Sequence, residues 1–317
     1  MTIPYYDGAA VRAAAPFPAA VTALENALRS SVDPEEDSPR LFSPSPAGEF
    51  LIMPTSGARY SGVKVLTVAP SNPELGLNKI QGVYVLFDSS TSAPLATMDG
   101  TELTAVRTPA TTLLAVRHMA EAAPVSAPFP TDPLFVVFGA GVQALNHIRA
   151  ARALFPTARF AVVGRRPDRV RGLIRELDSE GIAVTEGTEA LVPEADVLLC
   201  LTTSTIPLFD GSLPAANAIV ASVGQHGLDA REVDATLVLR SDVVVEGRAS
   251  AWRESGDLIP ARSVAQWQQM PPVNLRELVQ GKLVRTPGRP CLYSGVGMAW
   301  QDLVTAALVF KAPGSTS

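Results

Sequence analysis

From residue 134 the chain settles into one rhythm, and that rhythm limits the folds open to it. An apolar run, "PLFVVFGAG" (133–141), ends in glycines. "VQALNHIRAARALF" follows with helical periodicity and stops at Pro156. "ARFAVVG" is a second apolar run and "RPDRVRGLIRELDSEG" a second helix with a glycine stop. The short strand "IAVTEG", the buried pattern "EADVLLCLTTS" and the runs "NAIVASVG" and "SDVVVEG" continue the series. Strands that are apolar throughout need cover on both faces, and helices alternating with them supply it. The expectation is a parallel sheet with helices on both sides.

The first 125 residues read differently. "PAAVTALENALRS" is helical, while "EFLIMPTS", "YSGVKVLTVAP" and "GVYVLFDSSTSAPLATMDG" read as strands joined by turns, hence an α+β layer. A long helix follows in "DGTELTAVRTPATTLLAVRHMAEAAP", and Asp99 with Glu102 three residues on matches a capping box at its start. Two proline-rich segments punctuate this half. Residues 34–46 must be extended or loop, and residues 124–133 mark the domain boundary. The closing stretch "GMAWQDLVTAALVFKA" is a helix that can return to the first domain.

The first glycine-rich turn carries the chemistry. Gly139-x-Gly141-x-x-Ala144 stands after a strand and before a helix. Gly139 permits the tight turn, Gly141 lets the backbone approach a pyrophosphate, and the helix N-terminus offers free N–H groups. The fold class expected is therefore α/β, with a Rossmann dinucleotide-binding domain at 125–302 inserted into an α+β domain made of 1–124 and 303–317. At the tip of the second strand, where an acidic residue would take the ribose 2′-hydroxyl of NAD, Gly164, Arg165 and Arg166 stand instead. Two arginines suit a 2′-phosphate by charge and bidentate geometry, which favours NADPH over NADH; a solvated helix start is the plainer reading. Asp168, just beyond, reads as a cap.

Three cations fall where apolar residues are expected. Alternation puts Lys64 on one strand face with Leu66 and Val68, Arg107 lies at the margin of a helical stripe with Leu103, Ala110 and Leu114, and Arg40 sits in the first proline-rich loop. Pro109 interrupts the helix beside Arg107. Each cation alone reads equally as a surface charge or salt bridge; together they would suit a carboxylate substrate.

Composition closes off other classes. The net charge is −5 and no basic run interleaves with aromatics, so a nucleic-acid partner is not expected. The start lacks the regions of a signal peptide, and no apolar stretch reaches membrane-spanning length, so no membrane role is expected. Cys200 and Cys291 make no disulfide framework, no Cys/His cluster has zinc spacing, and the default setting is cytoplasmic with no metal.

The chain resembles the ornithine cyclodeaminase/mu-crystallin family. The resemblance is carried by "LFDSSTSAPLATMDGTELTAVRTPATTLLAVRHMA" followed by "FGAGVQA", by the spacing of Arg40, "MP" (53–54), Lys64 and "RT" (107–108), and by "VGQHGLDAREVD", "ESGDL" (254–258) and "SGVGMAWQDL" (294–303). It implies a substrate-binding domain that also forms a homodimer, and a small amino- or imino-acid substrate. It implies that Arg40, Lys64 and Arg107 clamp the substrate carboxylate. Thr108 and the loop of Gly139, Ala140, Gly141, Val142 and Gln143 would hold the cofactor phosphates. Thr202, Thr203, Ser204, Val223 and Gly224 would line the nicotinamide side, with Gly297 opposite. Three departures stand out: "RTPA" for the usual arginine–threonine–alanine–alanine, Lys79 where a small hydroxyl residue is common, and His226 in the slot where cyclodeaminases keep an aspartate. The aspartate pairs with a diamino substrate. A neutral histidine there suits proton relay beside a cationic imine. The expected activity is NAD(P)H-dependent reduction of a small cyclic imino acid of the Δ1-pyrroline-2-carboxylate or Δ1-piperideine-2-carboxylate type, within proline metabolism, with His226 and Lys64 as catalytic groups. The alternatives are an ornithine cyclodeaminase using NAD+, an amino-acid or N-alkyl amino-acid dehydrogenase, and a non-catalytic NADPH-binding protein.

Overall fold

The computed structural model describes residues 2–225 and 227–312. The chain divides into two compact units, Met1–Thr111 with Met298–Ser317, and Thr112–Gly297. The second unit is thus inserted into the first. The changeover at Thr111 falls inside a helix, upstream of the proline-rich 124–133 segment, because that helix runs unbroken from Gly100 to Glu121.

In the first unit, strands β1 (Tyr5–Tyr6), β2 (Leu41–Ser45), β3 (Gly48–Ser56), β4 (Tyr60–Val68), β5 (Ile80–Asp88) and β6 (Pro94–Asp99) form a sheet in the order β1-β6-β5-β4-β3-β2. Neighbours from β2 to β6 are antiparallel, and β1 adds to β6 in parallel. The proline-rich segment expected to be extended or loop supplies the edge strand β2, where Pro44 costs no ladder hydrogen bond on its outer side. Helices α1 (Gly8–Ala14), α2 (Phe17–Ser30), the first half of α3 (Gly100–Glu121) and the returning helix belong to this unit. The alternation of β3 to β6 is strict. Leu51, Met53, Lys64, Leu66, Tyr84, Leu86, Ala96 and Met98 are buried on one face, while Ile52, Val63, Val65, Val83, Val85 and Phe87 on the other are half-buried.

α3 corrects one expectation. Pro109 does not interrupt it. On either side of the proline, threonine hydroxyls bond back to carbonyls one turn earlier: Thr104 Oγ1 to Gly100 O and Thr111 Oγ1 to Arg107 O, both 2.8 Å. With Pro109 itself buried, tertiary packing holds the helix across the missing N–H. The capping box is half present. Asp99 accepts from the Glu102 N–H at 2.9 Å, but the Glu102 carboxylate pairs with Arg12 at 2.5 Å.

The second unit holds strands β7 (Leu134–Phe138), β8 (Arg159–Val163), β9 (Thr185–Glu186), β10 (Val197–Cys200), β11 (Ile219–Ser222), β12 (Asp242–Val245), β13 (Val273–Asn274) and β14 (Cys291–Ser294), all parallel, in the order β13-β12-β14-β11-β10-β7-β8-β9. Its helices are α4 (Val142–Leu154), α5 (Pro167–Ser179), α6 (Ala235–Arg240), α7 (Arg248–Glu254), α8 (Val264–Gln269) and α9 (Leu275–Val279). One apolar core runs through Val136, Phe138, Leu198, Val220, Leu292 and Trp267. The order reverses between β7 and β10, which opens a crevice at their carboxyl ends. The last helix, α10 (Ala299–Lys311), returns to the first unit and packs on β3, β4 and β5.

Candidate active site

In the first unit two of the three misplaced cations, Lys64 and Arg107, meet on a carboxylate that the sequence does not single out. Lys64 points to the helix-covered face of β4 and is fully buried. Asp302, on α10, is fully buried as well. Its Oδ1 accepts from Lys64 Nζ at 2.8 Å and from Arg107 Nε at 3.2 Å. Its Oδ2 lies 2.7 Å from Nζ but off the hydrogen-bonding direction. Lys64 also donates to Thr104 Oγ1 at 3.2 Å, and Arg107 Nη1 to Gln301 Oε1 at 3.0 Å. Arg107 is therefore buried (6 % exposed), not marginal. Burial pushes the Lys64 ammonium down to about 7. Asp302 works against that shift, while Arg107 and the nearby Arg40 add to it.

Other groups close this pocket. Asp37 accepts from the N–H groups of Ala299 (2.8 Å) and Trp300 (3.2 Å), capping α10 from a distant part of the chain. Burial raises its carboxyl to about 6. Tyr84 stands directly opposite Lys64 in the ladder and reaches over Gly62, where a Cβ would lie 2.0 Å from the phenol oxygen. Thr108 is half-buried one residue after Arg107, and Lys79 is exposed.

In the second unit the glycine turn fits a pyrophosphate. Gly139 has φ +116° and its N–H bonds to Val163 O, and a Cβ there would meet Leu201 O at 2.6 Å, so glycine is required. Gly141 is the N-cap of α4, provides no side-chain cap, and has open space where a Cβ would project. Ala140 and Gln143 are half-buried, Val142 is exposed and Ala144 is buried. Open space over uncapped N–H groups is what a phosphate needs. One turn further, His147 is fully buried. Its Nδ1 faces Gln143 O at 2.7 Å and so carries the proton, and its Nε2 accepts from Thr112 Oγ1 at 3.1 Å. Burial lowers its pKa to about 4.

Gly164, Arg165 and Arg166 are exposed after β8. Asp168, in the first turn of α5, takes the Arg166 guanidinium at 2.9 Å and its carboxylate also draws on the backbone N–H groups of Asp168 and Arg169, so it serves the helix start from inside the first turn. The turns after β10, β11 and β14 are tied by two buried glutamates. Glu232 takes Thr202 N at 2.6 Å, Thr202 Oγ1 at 2.8 Å, Gly224 N at 2.7 Å and Val223 N at 3.2 Å. Glu246 takes Gly297 N at 2.6 Å and Val296 N at 2.9 Å. Thr203 is exposed, Ser204 half-buried and Gly297 buried with φ +78°. Burial raises the Glu232 carboxyl to about 7 against the pull of its N–H donors, and raises Asp257 beside it. The space a Cβ at Gly224 would fill is taken by Thr202 O (2.0 Å) and Glu232 Oε1 (2.7 Å), so this position has no room for a side chain. His226 lies outside the described residues.

The chain is 33% identical over 304 residues to a Δ1-pyrroline-2-carboxylate/Δ1-piperideine-2-carboxylate reductase of Azospirillum brasilense, covering 95% of this chain and 93% of that protein. Its fold matches the Thermococcus litoralis Δ1-pyrroline-2-carboxylate reductase solved with NADH and L-proline, with a TM-score of 0.81, 25% identity, and coverage of 98% and 97%. It also matches a probable ornithine cyclodeaminase of Bordetella pertussis, with a TM-score of 0.83, 25% identity, and coverage of 98% and 96%. The ornithine cyclodeaminase/mu-crystallin family model matches residues 9–316, and the chain belongs to that family.

Proposed function

We propose that the protein is an NAD(P)H-dependent reductase of small cyclic imino acids of the Δ1-pyrroline-2-carboxylate or Δ1-piperideine-2-carboxylate type. The observation that carries this reading is the buried cluster in which Asp302 is shared by Lys64 and Arg107. Arg40 lies close enough to add to the lowering of the Lys64 pKa, and a group of cations gathered in this way suits a substrate carboxylate. The reductase relatives act on substrates of this kind.

When bound, the nicotinamide supplies a hydride to the imine carbon. The chain's own residues do the rest. Arg107 and Arg40 orient the carboxylate. Lys64 is poised near neutrality, so it can bind as a cation and lend a proton to the ring nitrogen. His226, on the ground of its sequence context alone, is the chain's candidate for proton relay. Thr108 and residues 139–143 hold the phosphates. Thr202, Thr203, Ser204, Val223, Gly224 and Gly297 face the nicotinamide. Arg165 and Arg166 favour NADPH, with Asp168 released from Arg166 when the 2′-phosphate arrives.

The first unit serves as both substrate domain and dimer surface. The half-buried apolar face of Ile52, Val63, Val65, Val83, Val85 and Phe87 supports a homodimer, because antiparallel sheets exposed to water on one face are normally polar there. Two free buried thiols, Cys200 and Cys291, support a cytoplasmic setting, where the nicotinamide pool lies. Reduction of the five-membered imine yields proline, which places the enzyme in proline formation.

Mixing the protein with NADPH and either cyclic imine should consume the 340 nm absorbance. Ammonia release from ornithine with NAD+, in place of imine reduction, would assign the lyase instead. Turnover only with an open 2-oxo acid and an amine would assign a dehydrogenase.

A further inference from the structure

We propose that Glu232 and Glu246 are positioning residues that set where the nicotinamide ring can lie. The inference rests on the reading that the turns after β10, β11 and β14 face that ring.

These strands are neighbours in the sheet, in the order β14-β11-β10. Where parallel strands end, the next backbone N–H groups leave the ladder and need other partners. Here two buried carboxylates take them. Glu232 joins two turns that lie far apart in the sequence, accepting from Thr202 with Oε1 and from Val223 and Gly224 with Oε2. Glu246 does the same for the third turn, and Tyr293 OH holds its other oxygen at 3.0 Å. The brace is itself braced. Asp257 accepts from the Glu232 and Val233 N–H groups at 2.8 and 3.2 Å, and from Ser222 Oγ.

Two further facts point the same way. Gly224 has no room for a Cβ because Thr202 and Glu232 fill that space, so the two turns are packed as one piece. The donors are also consumed by the protein's own acids, so this end of the sheet differs from the glycine turn after β7, where Gly141 leaves its space open. The phosphate end is open to its ligand, whereas the nicotinamide end is fixed in advance. Charge-assisted hydrogen bonds to backbone N–H groups fix positions well, and a glutamine puts an amide donor against one of them.

The test is binding of NADPH against binding of 2′-phospho-ADP-ribose, which lacks the nicotinamide. Glu232→Gln and Glu246→Gln should weaken NADPH at least about fivefold, roughly 1 kcal/mol, while the ribose phosphate changes less than about twofold. Thr202→Val and Tyr293→Phe each remove one hydroxyl from a brace and should shift NADPH alone in the same direction; they decide the matter if either glutamine variant does not fold. Equal weakening of both ligands, or of neither, overturns the proposal. Both affinities are read without an imino acid present, so the result stands apart from whether the protein reduces cyclic imines, which the absorbance assay reads.

Discussion

Lys64 is the side chain whose surroundings say most about chemistry. It is a fully buried amine, held by a carboxylate it shares with Arg107, and its pKa falls to about 7. Above that value in the free enzyme it is neutral and binds a carboxylate poorly. kcat/KM for the imino acid should therefore fall as pH rises through about 7. In Asp302→Asn the limb should move to lower pH, because the charge that props up the ammonium is gone; a pH–rate profile of both proteins reads this. Lys64→Ala and Arg107→Ala should raise substrate KM about tenfold to a hundredfold and leave NADPH affinity nearly unchanged, as steady-state kinetics will show. His147 makes a different prediction. Its pKa falls from 6.5 to about 4 on folding, so between those values the unfolded chain binds more protons than the native one. The stability it contributes is present above pH 6.5 and lost as pH falls through 4, up to about 3 kcal/mol. Denaturant titrations should show the advantage over His147→Gln shrinking from pH 7.5 to pH 4.5.

Among the elements, the two glycine-bearing turns of the crevice make a contrasting pair. Gly141→Ala projects into open space at extended dihedrals, so thermal stability should hold while KM for NADPH rises. Gly224→Ala drives a methyl into Thr202 and Glu232, so stability should drop by about 1–3 kcal/mol, measured by denaturant unfolding. The sequence made the first turn legible, since a strand, spaced glycines and a helix fall in order. It left the second obscure, because the reason for Gly224 is a contact with residues 202 and 232. The same contrast holds for strands. β7, β8, β10, β11 and β12 are apolar runs with clear ends, whereas β14 is four residues, "CLYS", and takes a place between β11 and β12 that no local pattern specifies. Pro109 misled for a related reason: the local rule breaks the helix, and burial overrides it.

For the molecule as a whole, the division into an inserted α/β unit and a split α+β unit was legible from rhythm alone, but the partner of the clamp was not. Asp302 lies 238 residues from Lys64, and only the return of α10 brings it there. The open face of the first sheet carries the whole-molecule prediction. Val65→Glu or Val85→Glu should turn the proposed dimer into a monomer in light scattering, with Lys64 undisturbed on the opposite face. The insertion also sets an order of events during synthesis. At about 5–20 residues per second, the ribosome makes Asp302 roughly 10–50 s after Lys64. Until then two cations have no counter-charge and the sheet has no α10 to cover it. A chain ending at residue 297 should therefore hold every residue of the inserted Thr112–Gly297 unit while Lys64 and Arg107 still wait for Asp302, so that the inserted unit is complete before the unit that encloses it in the sequence.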